Sequence, residues 1–187
     1  KKKVINAWAF YDWANSVYSL SITTAIFPIY YNSITTANGS DQVTFLGRTF
    51  TNTALYSYAL SFSFLVIAFL SPLLSGIADY KGNKKFFMRL FCFLGSSACA
   101  SLYFFKDLPQ LDMGIFSFIL ASIGWAGSIV FYNAFLPEIA TTDMPDKVSA
   151  RGFALGYIGS SLLLIFNLAM ILYPSWFGIT NSGMASR

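Results

Sequence analysis

The sequence predicts an all-α, polytopic bundle of transmembrane helices, and three observations carry that expectation. Charge is scarce: 11% of the 187 residues are charged and 56% are hydrophobic, whereas a water-soluble domain carries about 25% charged residues to face solvent. The apolar residues come in runs of about twenty, the length that crosses a ~30 Å hydrocarbon core at ~1.5 Å per residue. These runs are too long, and alternate too little, for transmembrane β-strands.

In chain order, five spans are expected, at residues 11–31, 53–78, 86–105, 113–136 and 151–173. The first follows Lys1, Lys2 and Lys3, but it is too long for a secretory signal and lacks a small-residue cleavage site at its end. The connectors hold the helix breakers: "NSITTANGSD" (32–41), "KGNKK" (81–85), "KDLPQLD" (106–112) and "TTDMPDK" (141–147). Pro28 and Pro72 fall inside spans, where neighbouring helices re-satisfy the carbonyl that a proline leaves free. Cys92 and Cys99 share one span. At a separation of about 10 Å along a helix they are beyond disulfide reach and read as packing residues.

Basic residues set the orientation. Lys1, Lys2, Lys3, Lys81, Lys84, Lys85, Arg89, Lys147 and Arg151 fall on one side, and Arg48, Lys106 and Arg187 on the other. Nine of the twelve cations thus place the N-terminus, "KGNKK" and the 137–150 loop in the cytoplasm. The same loops account for a pI near 9.1 without a nucleic-acid partner.

A carboxylate at a span's centre costs ~2.5–3.5 kcal/mol on insertion scales, so Asp12 in "YDWANS" needs a reason. In one reading Asp12, with Asn15, faces a polar pathway and binds solute or a proton. Asp12, Ser16, Ser19 and Thr23 follow helical spacing and form a polar stripe. In the other, Asp12 caps the helix at the interface beside an aromatic belt of Trp8, Tyr11 and Trp13.

Gly152, Gly156 and Gly159 recur at four- and three-residue spacing in the fifth span, which lets helix backbones approach closely. Gly124 and Gly127 are read as packing positions too; Asn167, deep in the fifth span, is read first as a packing residue bonded across helices, with contact to substrate as the alternative. With no histidine, no metal-ligand cluster, no phosphate-cradling glycine loop and no nucleophile–base pair, neither an enzyme nor a cofactor is expected. Asn38-Gly39-Ser40 matches a glycosylation acceptor, idle in a bacterial protein.

The scarce charge gathers in "SGIADYKGNKK" (75–85). The orientation rule explains the lysines, but the pattern Asp-x-x-Gly-x-Lys-Lys also resembles the loop between spans two and three of the major facilitator superfamily. There a Gly-x-x-x-Asp-Arg-x-Gly-Arg-Lys type motif places Asp79, Gly82, Lys84 and Lys85 on its positions. Ser75 stands where the first glycine belongs, Gly76 comes one place late, and Tyr80 replaces the usual arginine. "YDWANSVYSLSITTAIFPIYY" (11–31), "SPLLSGIAD" (71–79), "FYNAFLPEIA" (131–140) and "SARGFALGYIGS" (149–160) are similar to one branch of that superfamily. It contains bacterial permeases and the fungal vacuole effluxers that export amino acids.

The resemblance implies a secondary active transporter of a small solute, amino acids among the candidates, working by alternating access in the bacterial inner membrane. Coupling to protons or another ion stays open. It places Tyr132 and Asn133 beside the pathway with Asp12, Asn15 and Ser19, because spans one and four of each half line it. Pro137-Glu138 and Arg151-Gly152 resemble a glutamate and an Arg-Gly that join the motif loop in sugar-porter relatives. Asp79, Gly82, Lys84, Lys85, Glu138 and Arg151 would then form a conformational gate, Glu138 pairing with a motif lysine and Asp79 with Arg151 or a helix N-terminus. The bland alternative is a set of solvated loop charges worth ~0–1 kcal/mol per pair.

The family has twelve spans in two halves. This chain begins without methionine and ends at "GMASR", where a sixth span belongs. It is expected to be the N-terminal part of a longer protein whose C-terminal half is its partner, and not to transport alone. The alternative is a non-transporting membrane scaffold or receptor that retains the fold.

Overall fold

The computed structural model describes residues 2–140 and 145–178; Lys1, Arg187 and most of the "TTDMPDK" connector fall outside them. The chain divides into two compact units, Lys1–Tyr31 with Leu136–Arg187, and Asn32–Phe135. The described residues are overwhelmingly helical. The chain is an all-α membrane protein, with one small β-hairpin that the sequence reading took for loop.

The first unit begins with α1 (Lys2–Val17), a π-helical segment (Tyr18–Ile26) and the first part of α2 (Phe27–Thr35), whose last four residues belong to the second unit. Pro28 explains where the wide turns lie. A proline ring crowds the carbonyl four residues back and donates no bond, and the π segment ends two residues before it, with the Phe27 N–H donating to the Ile22 carbonyl five residues back. The short α6 (Leu136–Ile139) precedes α7 (Pro145–Leu172), which packs along α1 and the π segment.

Both long helices of this unit start earlier than expected, at Lys2 rather than 11 and at Pro145 rather than 151. Apolar runs mark the length in hydrocarbon, not the whole helix, and a proline at a helix's first position is favourable because that N–H has no intrahelical partner.

In the second unit a hairpin of β1 (Gln42–Phe45) and β2 (Arg48–Thr51) pairs antiparallel, Val43 opposite Phe50. Leu46 and Gly47 turn it with φ of 49° and 75°, the double left-handed geometry of a two-residue hairpin turn. α3 (Asn52–Lys81), α4 (Lys84–Ser101) and α5 (Leu111–Ala134) follow. α5 is the inner helix: most of its apolar window is buried, whereas those of α3 and α4 are mostly exposed. Such apolar outer faces suit hydrocarbon and not water.

Ile67, Ala78, Phe91, Ala126 and Phe131 form the core of this unit, with the Phe87 and Phe91 rings stacked on Phe131 at 5.3 and 6.0 Å. Gly95 of α4 and Gly124 of α5 bring their backbones into contact. Ser101 donates to Ser117 at 2.8 Å across the same helix pair, and Ser63 of α3 donates to the Ile119 carbonyl of α5 at 3.3 Å.

Among the described residues, four helical stretches are long and apolar enough to cross a membrane: Asn52–Tyr80, Lys84–Phe104, Leu108–Ile139 and Asp146–Leu172. The first expected span is not one of these four. Its helical run is divided into parts of 16, 9 and 9 residues, and its polar stripe dilutes the apolar signal.

Candidate functional site

The polar residues of the first unit gather where α1 enters the π segment. Asp12 lies ten positions after the start of α1 and is only 8% exposed, so it is not a helix cap and that reading falls. Ser16 Oγ donates to Asp12 Oδ1 at 3.4 Å, and Ser19 Oγ donates to the Ser16 carbonyl at 3.2 Å.

Gly156 of α7 makes room for this group: a Cβ there would lie 2.7 Å from both Asp12 Oδ2 and Ser16 Oγ. One turn on, Gly159 lies against the Trp13 indole, and Gly152 is buried. The glycine face of α7 is therefore turned toward α1, and glycine is what lets a carboxylate sit between two packed backbones.

The wide turns then change the register that the sequence implied. Bonds to the fifth rather than the fourth residue back rotate a stripe drawn at α-helical spacing by roughly a quarter turn between Tyr18 and Thr23. Thr24 Oγ1 donates to the Ser19 carbonyl five residues back at 2.7 Å. Asn15 is half-buried.

Ser21, which sequence reasoning passed over, is fully buried, and its hydroxyl has no hydrogen-bond partner among the described residues. Only the switch of helix type marks it, and the clue in the sequence is the proline seven residues later. π-turns inside α-helices occur frequently at functional sites. Tyr132 and Asn133 belong to the second unit, adjacent on α5 with Tyr132 buried and Asn133 exposed.

The opening motif becomes a tight corner between α3 and α4. Gly82 adopts φ 65°, with its N–H donating to the Asp79 carbonyl and the Asn83 N–H to that of Ala78. This is a Schellman closure, which needs a left-handed residue and so favours glycine. The turn brings Lys84 Nζ to 2.8 Å from Asp79 Oδ1, and the same ammonium donates to the Ala134 carbonyl at the end of α5 at 3.5 Å. A cation suits the negative end of a helix dipole.

Within its own unit, Asp79 is thus paired with Lys84. The motif closes on itself because the two-residue turn of Gly82 and Asn83 brings the two side chains together. Lys84 is 18% exposed and Asp79 62%. Lys85 lies beside Lys84 in the first turn of α4, while Glu138 (in α6) and Arg151 (in the second turn of α7) are exposed residues of the other unit.

A second constellation escaped the sequence reading. Asn52, buried at the start of α3, donates through Nδ2 to Asn32 Oδ1 and Thr35 Oγ1, both at 3.0 Å. Its backbone N–H donates to the Asp41 carbonyl at 2.8 Å. One amide thereby ties the end of α2 to the hairpin, and Phe45 packs on Phe116 at 5.6 Å.

The profile of the family described as "Vacuole effluxer Atg22 like" matches residues 1–145. An uncharacterised MFS-type transporter, YxiO of Bacillus subtilis (strain 168), is 40% identical over 89% of this chain and 37% of its own length. An uncharacterised Aquifex aeolicus (strain VF5) protein is 24% identical over 92% of the chain and 40% of its own length. Autophagy-related protein 22-2 of Aspergillus niger is 32% identical over 49% of the chain and 15% of its own length. The chain therefore spans no more than about two-fifths of the curated relatives it matches. No solved structure matches. The chain belongs to the Atg22-like vacuole effluxer family of the major facilitator superfamily.

Proposed function

We propose that the chain is the N-terminal part of a secondary transporter that moves a small solute across a bacterial inner membrane by alternating access, without enzymatic chemistry. The membrane spans would number five, with Lys2–Thr35 carrying the first, the N-terminus in the cytoplasm, and the missing half closing the pathway. One observation supports this most: an otherwise apolar chain keeps a buried Asp12, hydrogen-bonded to Ser16, on a helix that opens into π turns. A scaffold needs neither. Intramembrane carboxylates mark substrate and proton pathways, and broken helices form transporter sites near the midplane.

Asp12, Asn15 and Ser19 would contribute to the pathway from the first helix, and Tyr132 and Asn133 from α5. Amino acids are the first solute class to test, following the fungal effluxer resemblance.

The full-length protein in proteoliposomes, given a panel of labelled amino acids, provides the test. Asp12→Asn should abolish flux or its pH dependence while the amount in the membrane stays unchanged. Undiminished activity per molecule in the variant would remove Asp12 from the pathway. Absence of flux for any small solute in the wild type would favour the scaffold.

A further inference from the structure

Three cations converge on one cavity at the start of α1 and α7. The cavity holds about 410 Å³ and is lined by Lys2, Ile5, Asn6, Lys147, Val148 and Arg151. That volume lies in the ordinary range for small-molecule sites, ~300–1,000 Å³. Among the described residues no carboxylate lines it, and none of the three cations is ion-paired with another described residue. Asp146, next to Lys147 in sequence, is exposed and does not line it. Cations held together without a counter-charge repel one another, and an anion placed between them relieves that repulsion.

The surroundings indicate which anion. Along the two helices that supply the cavity, large apolar side chains stand exposed: Phe153 at 58% and Tyr157 at 72% on α7, Val4 at 54% on α1. A free phosphate would engage the cations and ignore this surface. A phospholipid would use both, its headgroup among the cations and its acyl chains along the helices.

We propose that this cavity binds the phosphate of an anionic membrane lipid. Arg151 offers the planar, two-pronged donor geometry that matches phosphate oxygens, and the lysines act as point charges. Asn6 offers an amide donor, and Ile5 and Val148 form the apolar floor. Basic pockets between membrane helices hold anionic headgroups for these same reasons. This site lies at the helix ends and needs no solute, and it shares Arg151 with the expected gate.

The test uses the full-length protein in detergent, titrated separately with short-chain phosphatidylglycerol, phosphatidylcholine and inorganic phosphate. Phosphatidylglycerol should bind saturably, and phosphatidylcholine at least tenfold more weakly. Lys147→Gln with Arg151→Gln should weaken phosphatidylglycerol binding about tenfold, whereas Arg48→Gln with Lys106→Gln should leave it unchanged. Lys147→Arg keeps the charge and should bind within about twofold of wild type. Equal binding by the neutral variant, equal binding of the two lipids, or loss in the charge-keeping variant would each overturn the proposal. Displacement of the lipid by inorganic phosphate at similar concentrations would also overturn it, and would identify a free-phosphate site instead.

Discussion

A methyl group added at Gly156 would meet the ends of two side chains, the Asp12 carboxylate and the Ser16 hydroxyl, whereas one added at Gly124 would meet the Gly95 backbone. Side-chain ends can give way and packed backbone cannot, so the two substitutions should rank. Overpacking a tight site costs ~1–3 kcal/mol. Gly124→Ala is expected in that range and Gly156→Ala below it, with Gly156→Val rising to meet it. Thermal unfolding of the purified protein in detergent measures both, and the reverse order would contradict the packing described here.

Asn52 gives a second test at this scale. Asn52→Ala leaves Asn32 and Thr35 without its amide, and hydrogen bonds of this kind are worth ~0.5–1.5 kcal/mol each. A loss of about 1–3 kcal/mol is expected in the same measurement. None of these pairings was legible in the sequence, because each depends on which faces of separate helices meet.

Helix geometry sets the next level. Gly82 has open space around its Cα, so Gly82→Ala is opposed by backbone conformation alone. Left-handed φ costs an L-residue ~1–2 kcal/mol, and Gly82→Asn should cost less, since Asn tolerates that region better. Equal destabilisation by the two would mean that φ is not what selects glycine here.

The π segment makes a different prediction. Pro28→Ala restores an N–H and removes the ring, so residues 18–26 should relax toward α-helical register and turn Thr23 by roughly a quarter turn. Cysteine accessibility scanned across that segment reads the rotation, and an unchanged pattern would detach the π turns from the proline. Proline inside the span was legible in the sequence, but its consequence was not, since propensity names a perturbation without choosing how neighbours absorb it.

For the whole protein, the proposed orientation places position 83 inside and position 40 outside. In a background with Cys92→Ser and Cys99→Ser, Ser40→Cys should label from outside intact cells and Asn83→Cys only after permeabilisation. The opposite pattern would invert the topology.

Asp79→Asn tests the motif corner on the same scale. With Asp79 mostly exposed, its pair with Lys84 should contribute only ~0–1 kcal/mol to stability, so unfolding should barely move. Turnover should fall if the corner biases the equilibrium between inward- and outward-facing states. Spin-label distances across the basic end of the full-length protein measure that bias. Unchanged distances with normal turnover would reduce the motif to a basic turn.

Composition and run length by themselves determined the all-α membrane class and the presence of the long apolar helices α3, α4, α5 and α7, because partition into hydrocarbon depends on what each stretch contains and little on its neighbours. The chain's own order of motifs likewise carried the family. Three-dimensional packing decided the rest. Alternation in "QVTF" and "RTFT" became strands only because Asn52 and Phe116 anchor a hairpin that is too short to hold itself. Asp79 found Lys84 because a left-handed glycine turned the chain back within five residues. Asp12 could be named as costly from sequence, but its place against Gly156 required the meeting of two helices far apart in the chain. Contacts between distant segments depend on geometry that residue spacing along one helix does not contain.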